Sequence, residues 1–308
     1  MAARFRESAF TPLTLRDNVY ALPESQGFFM MFCRDDILYE VGLEVPETWE
    51  ELAYAMMVLA RRNMTVGMPS GVSGMSIFLY QAGGSLYNED GTASNLKSAE
   101  CLEAFKTITS MFNEYSLPVQ FDFANRFRSG EMPIGIVDYT MYNQLELYAP
   151  DIKGLWSMYP VPGTEREDGS VDHTSVASVT GTFIMKQSEK QDVSWEFLKW
   201  WSSAETQSRF ASSMESILGP SAKQPIANIE AFEQMSWTAD ELTSLREQGE
   251  ALQATPIYPG SYMLVRNLEF AFTKAVTEKS DPVNTLLDYV EDVDDEIAWK
   301  NQEFGFIE

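Results

Sequence analysis

The chain has 308 residues, 44% hydrophobic and 13% aromatic, which suffices for a sizeable core and at this length predicts two lobes rather than one. Its 22 Lys and Arg stand against 46 Asp and Glu, a formal charge of −24 that argues against nucleic acid or an anionic lipid surface as partner. The longest apolar run, Phe28 to Cys33, is far too short to cross a bilayer, and the first residues do not read as a signal peptide.

Strands and helices alternate along the chain. Asn18 to Pro23 predicts a short strand stopped by proline, and Gly27 to Cys33 a buried strand. Thr48 with Glu51 three residues on is a capping box, opening a helix whose apolar stripe is Leu52, Met56 and Leu59. Val66 to Pro69 predicts a strand, Ser76 to Ala82 a short helix, and Gly83-Gly84 a turn before the hairpin signal Asp90-Gly91. Ser98 to Tyr115 is strongly amphipathic, with Cys101, Phe105, Ile108 and Phe112 at helical spacing. Then come a helix over Phe121 to Phe127, a strand over Ile134 to Val137, a helix over Tyr139 to Tyr148 and a strand over Leu155 to Tyr159. Glu165 to Asp172, turning at Asp168-Gly169, reads as an exposed loop. Beyond it the spacing predicts a strand at Phe183 to Met185 and a helix over Val193 to Trp201 that packs its aromatic side. A short helical stretch at Thr206 to Ser213 and helices over Ala239 to Leu252, Tyr262 to Thr277 and Val283 to Asn301 complete the chain.

The residue patterns for catalysis are missing. Ser70-Gly71-Val72-Ser73-Gly74 fails the spacing of a nucleophile elbow, and the single histidine, His173, lies in a polar loop with no role assigned. Cys33 and Cys101 are far apart and read as buried thiols. The acidic run Asp292, Asp294, Asp295 and Glu296 lacks the glycine of a calcium loop, and no phosphate-cradling glycine motif occurs, so neither metal nor cofactor is expected. Because the two carboxylates of a glycosidase can come from anywhere in a sequence, a glycan-active hydrolase stays open. So does a ligand-sensing module of a larger surface protein. Aromatics near turns, among them Tyr139, Tyr142, Trp156, Trp237 and Tyr262, serve equally as sugar platforms or as core.

Several strings, in order, resemble the extracellular solute-binding proteins of ABC importers, the family of maltose and multiple-sugar receptors. The most specific is Gly42-Leu43-Glu44-Val45-Pro46-Glu47-Thr48-Trp49-Glu50-Glu51-Leu52, similar to the family's helix start with Pro, Thr-Trp and Glu at those positions. Met31 to Leu38, with Cys33 at the usual tyrosine, Gly83-Gly84, Phe127 to Ile134, and Tyr159-Pro160-Val161-Pro162-Gly163 resemble further family strings in the family's order. Gly181 and the aromatic helix of Trp195, Phe197, Leu198, Trp200 and Trp201 resemble the later return of the chain through the other lobe.

The resemblance implies an α/β, periplasmic-binding-protein-like type II fold of two hinged lobes, the N-terminal one incomplete because family members carry a longer segment ahead of the Tyr20 string. Lobe one would hold 1–27 and 180–235, lobe two 28–179 and 236–308. The implied function is non-catalytic: closure on a mono- or oligosaccharide for delivery to an ABC permease, by a monomer that in full-length form is an extracellular, membrane-anchored lipoprotein. The ligand-binding residues it implies are Glu24 and Gln26 at the first crossing, Ser73 after the Val66 strand, Tyr139 and Tyr142 where maltose-type receptors place stacking aromatics, and Gly181, Thr182 and Tyr262 near the later crossings.

Overall fold

The structure, a computed structural model, describes residues 1–307. After short 3-10 turns between Ala2 and Leu13, a minimal hairpin joins β1 (Thr14–Leu15) to β2 (Asn18–Val19). Arg16 and Asp17 turn it at φ 50° and 62°, the left-handed pair that a two-residue hairpin needs. Next comes β3 (Leu22–Cys33), on which the whole architecture hangs. The sequence suggested a break before Gly27, but the strand runs through. The register shifts between Pro23 and Ser25, so Glu24 is bulged out, next to the residue that cannot donate a hydrogen bond.

Gly42, at φ 75°, ends α1 (Asp35–Val41). The expected capping box opens α2 (Trp49–Ala60), with Thr48 and Glu51 bonded reciprocally. β4 (Val66–Gly67) leads into α3 (Gly71–Gln81), which starts at Gly71 rather than Ser76, and Ser98 caps α4 (Ala99–Glu114). The chain continues through α5 (Phe123–Arg128), β5 (Ile134–Asp138), α6 (Met141–Tyr148) and β6 (Ser157–Tyr159). β7 (Thr164–Glu165) and β8 (Val171–Asp172) form an exposed hairpin about Asp168-Gly169. β9 (Ser175–Thr182) follows, where the polar sequence gave no strand signal. The predicted strand at Phe183 to Met185 does not form. The remaining elements are α7 (Gln191–Trp201), α8 (Ala204–Leu218), α9 (Ile229–Glu233), α10 (Ala239–Glu250), β10 (Leu252–Gln253), α11 (Ser261–Thr277) and α12 (Pro282–Glu303).

The main sheet has the order β10-β9-β3-β5-β4, with β6 beside β9 on the same edge of β3. Only β3 runs against the others. Side chains alternate across it, so Phe28, Met30 and Phe32 enter one core and Met31 and Cys33 the other. The Met31 side is covered by α2, α3, α4, α11 and α12, and the Phe28 side by α5, α6 and α8 to α10. Ala211, Ile226, Ala231 and Phe232, which the resemblance assigned to lobe one, thus share a core with Phe28 and Tyr139, which it assigned to lobe two.

The aromatic side of α7 is not packed as expected. Leu198 is the helix's one buried residue, while Trp195, Phe197 and Trp200 stand 41%, 54% and 56% exposed. Trp201 alone among the helix's aromatics turns toward α8, meeting Phe210 edge-on at 5.4 Å. Both cysteines are buried and free, and burial raises both thiols.

Candidate ligand-binding site

β4, β5 and β10 end at one edge of the sheet, and past that edge the chain turns into α3, α6 and α11. Crevices outside the carboxyl ends of strands are where open α/β sheets receive ligands. The last β3–β5 pair is Phe29 with Asp138, whereas the β3–β9 pairing continues from Phe28 out to Leu22. Leu22 to Gly27 and Ser178 to Thr182 therefore project beyond the edge as a two-stranded ribbon, at the border where the resemblance puts the crossing between lobes.

Three features furnish this edge. At the end of β5, Asp138 Oδ1 accepts from the Thr140 amide at 2.9 Å and the Thr140 hydroxyl at 2.6 Å, and burial pushes its carboxyl up. The other oxygen lies over Gly27, where a Cβ would stand 2.5 Å from it and 2.8 Å from Ser178 Oγ. At the start of α3, the Val72 amide donates to Glu269 Oε1 at 2.9 Å, so one of the chain's own carboxylates holds the positive end of that helix. Gly71 sits at φ +58°, and a Cβ there would lie 2.2 Å from both Glu269 oxygens.

The third is a groove of about 750 Å³ between the N-terminal segment and the edge after β10. Phe10, Tyr258 and Phe306 supply aromatic surface, and Glu7, Asp17, Glu89 and Asp90 supply carboxylates. Arg16, the groove's only cation, is engaged by its neighbour: it donates to the Phe306 carbonyl at 2.7 Å and lies 3.9 Å over that ring. Tyr87 steadies Tyr258 edge-on at 5.1 Å.

The residues singled out from sequence do not converge on one cavity. Glu24 and Thr182 do meet across the ribbon: the Thr182 hydroxyl donates to Glu24, as does Trp201 Nε1 at 3.2 Å. Gly181 stands opposite Pro23 with Leu13 against it, and Ser73 lies in the first turn of α3. Gln26 is 1% exposed and ties the N-terminal segment down, donating to Ser8 Oγ at 3.0 Å. Tyr139 is 1% exposed, 4.6 Å from Phe28 and 5.7 Å from Phe232, so it is core and offers no platform in this structure. Tyr142 faces a different groove, in the second lobe. Tyr262 is exposed, its hydroxyl bonded to Glu296 on α12, and does not line the groove by Tyr258. Phe10, Tyr258 and Phe306 were missed. Only Tyr258 carried a local signal, the Pro256-Ile257-Tyr258-Pro259-Gly260 turn ahead of α11.

The chain belongs to the bacterial extracellular solute-binding proteins: that family's model matches residues 3–208. Solved structures share the fold. The sugar-binding protein MalE of Xanthomonas citri superposes with a TM-score of 0.81 at 18% identity, over 100% of this chain and 78% of its own. A solute-binding protein of Thermotoga lettingae bound with alpha-D-tagatose gives 0.76 at 18%, over 96% and 76%. The maltose-binding protein MalE of Listeria monocytogenes gives 0.74 at 15%, over 97% and 77%. The α/β type II binding-protein fold expected from sequence is thus the fold of the molecule. No match was found among curated proteins. Among the described residues, no cluster of His, Cys, Asp and Glu suits a metal ion, and no helix is long and apolar enough to cross a membrane.

Proposed function

We propose that the solute is a mono- or oligosaccharide, that the chain binds it without chemical change, and that it delivers the ligand to an ABC permease. The groove carries the proposal: three aromatic surfaces ringed by carboxylates and threonines match a sugar, which offers C–H faces to aromatics and hydroxyls to acceptors. The tagatose and maltose named for the T. lettingae and L. monocytogenes proteins, and the description of the X. citri protein as sugar-binding, support the same class.

Closure is proposed to bend the β3/β9 ribbon, swinging lobe one, drawn as 1–27 and 180 to about 203, against the edge that carries Asp138, Ser73 and Tyr258. Glu24, Gly181 and Thr182 lie on the moving side and would reach ligand only as the lobes close. The receptor is read as a monomer and, in its full-length form, as an extracellular lipoprotein. Incubation with oligosaccharides followed by mass spectrometry tests the absence of chemistry. Intact ligand recovered from the protein is expected. Shortened products, abolished by substituting two groove carboxylates, would replace this reading with a glycosidase.

A further inference from the structure

Two residues from opposite ends of the chain meet over the inter-lobe groove. Arg16 stands at the tip of the β1–β2 hairpin, and Phe306 lies just past the end of α12. In the proposed division the hairpin moves with lobe one, and Leu13 at its foot lies against Gly181 of the ribbon. α12 belongs to lobe two and buries Leu286, Val290, Val293 and Ile297 in the core on the Met31 side. The pair is therefore a contact from lobe to lobe, made away from the ribbon that joins them.

Backbone geometry aims both partners. Arg16 and Asp17 hold the hairpin tip in the left-handed region, at φ 50° and 62°. At the other end α12 closes in a Schellman motif: the Gly305 amide donates to the Gln302 carbonyl at 2.9 Å and the Phe306 amide to the Asn301 carbonyl at 2.7 Å, with Gly305 at φ 68°. These bonds turn the chain back off the helix and fix where Phe306 stands. Asn301 is itself 2% exposed and donates to the Gly91 carbonyl at 3.4 Å, while Gly91 carries the Tyr258 ring where its own Cβ would lie. The tail is thus rooted in the groove wall that bears Tyr258.

Arg16 has carboxylates nearby, since Glu7, Asp17, Glu89 and Asp90 line the same groove. Among the described residues its guanidinium nevertheless pairs with no carboxylate. It donates to the Phe306 carbonyl at 2.7 Å and lies 3.9 Å over that ring. A hydrogen bond and a cation–π contact to one residue fix a relative position that a lone surface ion pair would hold only weakly.

We propose that Arg16 and Phe306 form a clasp, by which the C-terminal tail straps lobe two to lobe one across the groove and holds them at this spacing before any ligand enters. The inference rests on the hinged lobes of the proposed function and not on the identity of the ligand. A clasp of this size shifts a two-state balance by about tenfold, so it biases the hinge without locking it.

Spin labels at Val193→Cys on α7 and Tyr54→Cys on α2, both exposed positions, report the separation of the lobes by pulsed electron resonance, and the two native thiols are buried. Proton NMR of the Arg16 guanidinium reports the clasp itself, through the ring current of Phe306. In ligand-free protein the expected result is a narrow distance distribution with ring-shifted Arg16 signals, and an open population about tenfold larger in Arg16→Asn and in Phe306→Ala. Asparagine tolerates the left-handed backbone at position 16, so the hairpin survives the first substitution. Arg16 signals without a ring shift overturn the clasp, and so does a distance distribution left unchanged in either variant. Ser25→Gly with Thr180→Gly, which removes the side-chain bond across the ribbon, is the control for the hinge. Broadening in that control with none in the clasp variants sinks the clasp alone, and no broadening in any of the proteins sinks the hinge with it.

Discussion

Asp138 and Gly27 face each other across the point where the second lobe's sheet gives way to the ribbon, and the carboxylate occupies the space that a side chain at 27 would fill. Gly27→Ala forces Asp138 outward at the expense of its two bonds from Thr140, a loss of about 1–3 kcal/mol in denaturant melts. In an Asp138→Ala background the nearer obstacle is gone and only the Ser178 hydroxyl remains against the new methyl, so about half of that loss should disappear in the double-mutant cycle. Equal losses in both backgrounds would show that the two residues are not coupled.

Tyr139 separates the observed core from the platform implied by family resemblance. Its hydroxyl is buried without a partner, so Tyr139→Phe should leave stability unchanged or raise it and should not alter saccharide affinity. Tyr139→Ala should cost about 3–5 kcal/mol through the cavity it leaves among Phe28, Phe232 and Trp237. Calorimetry on Tyr139→Phe decides between core and platform, because a lost sugar signal with an intact melt would return the residue to the ligand.

Arg34 is buried, clasping Asp36 through two bonds of 2.8 and 2.7 Å and donating to the Phe127 and Arg128 carbonyls at 3.0 and 3.1 Å. Arg34→Met strands those carbonyls and should cost about 2–4 kcal/mol. The arginine holds Asp36 below its ordinary carboxylate value. The pair's stabilisation is therefore complete above that ordinary value and is lost as pH falls through the lowered one. Melts between pH 5 and 2 should show the wild type losing more stability than Asp36→Asn.

On α7, Leu198→Ala should destabilise by about 2–5 kcal/mol, whereas Phe197→Ser and Trp200→Ser should each stay within about 0.5 kcal/mol, because of these three only Leu198 is buried. Comparable losses at all three positions would mean that the aromatic face is covered in solution.

Much of the fold was legible in local signals. The Thr48–Glu51 capping box, the stripe of α4 and the turn at Asp168-Gly169 each follow from short-range chemistry, and each stands where the residues put it, although the loop around that turn pairs into a short hairpin. β9 was not legible, because Ser175 to Thr182 lacks an apolar run and is a strand by virtue of its pairing with β3. The inward turn of Tyr139 was hidden for a similar reason: its partners Phe28, Phe232 and Trp237 come from three distant segments. The site was the least legible part. Phe10, Tyr258 and Phe306 are brought together from nearly the whole length of the chain, and no local pattern joins them.

The central claim, saccharide binding in the inter-lobe groove, is tested most directly by thermal shift against a panel of mono- and oligosaccharides, on the wild type, Phe10→Ala and Tyr258→Ala. At a hundred times its dissociation constant a true ligand stabilises the folded protein by about 2.7 kcal/mol. The account predicts a clear rise in melting temperature with at least one saccharide, reduced or abolished in both variants. A panel with no shift, or a shift that survives both substitutions, would contradict it.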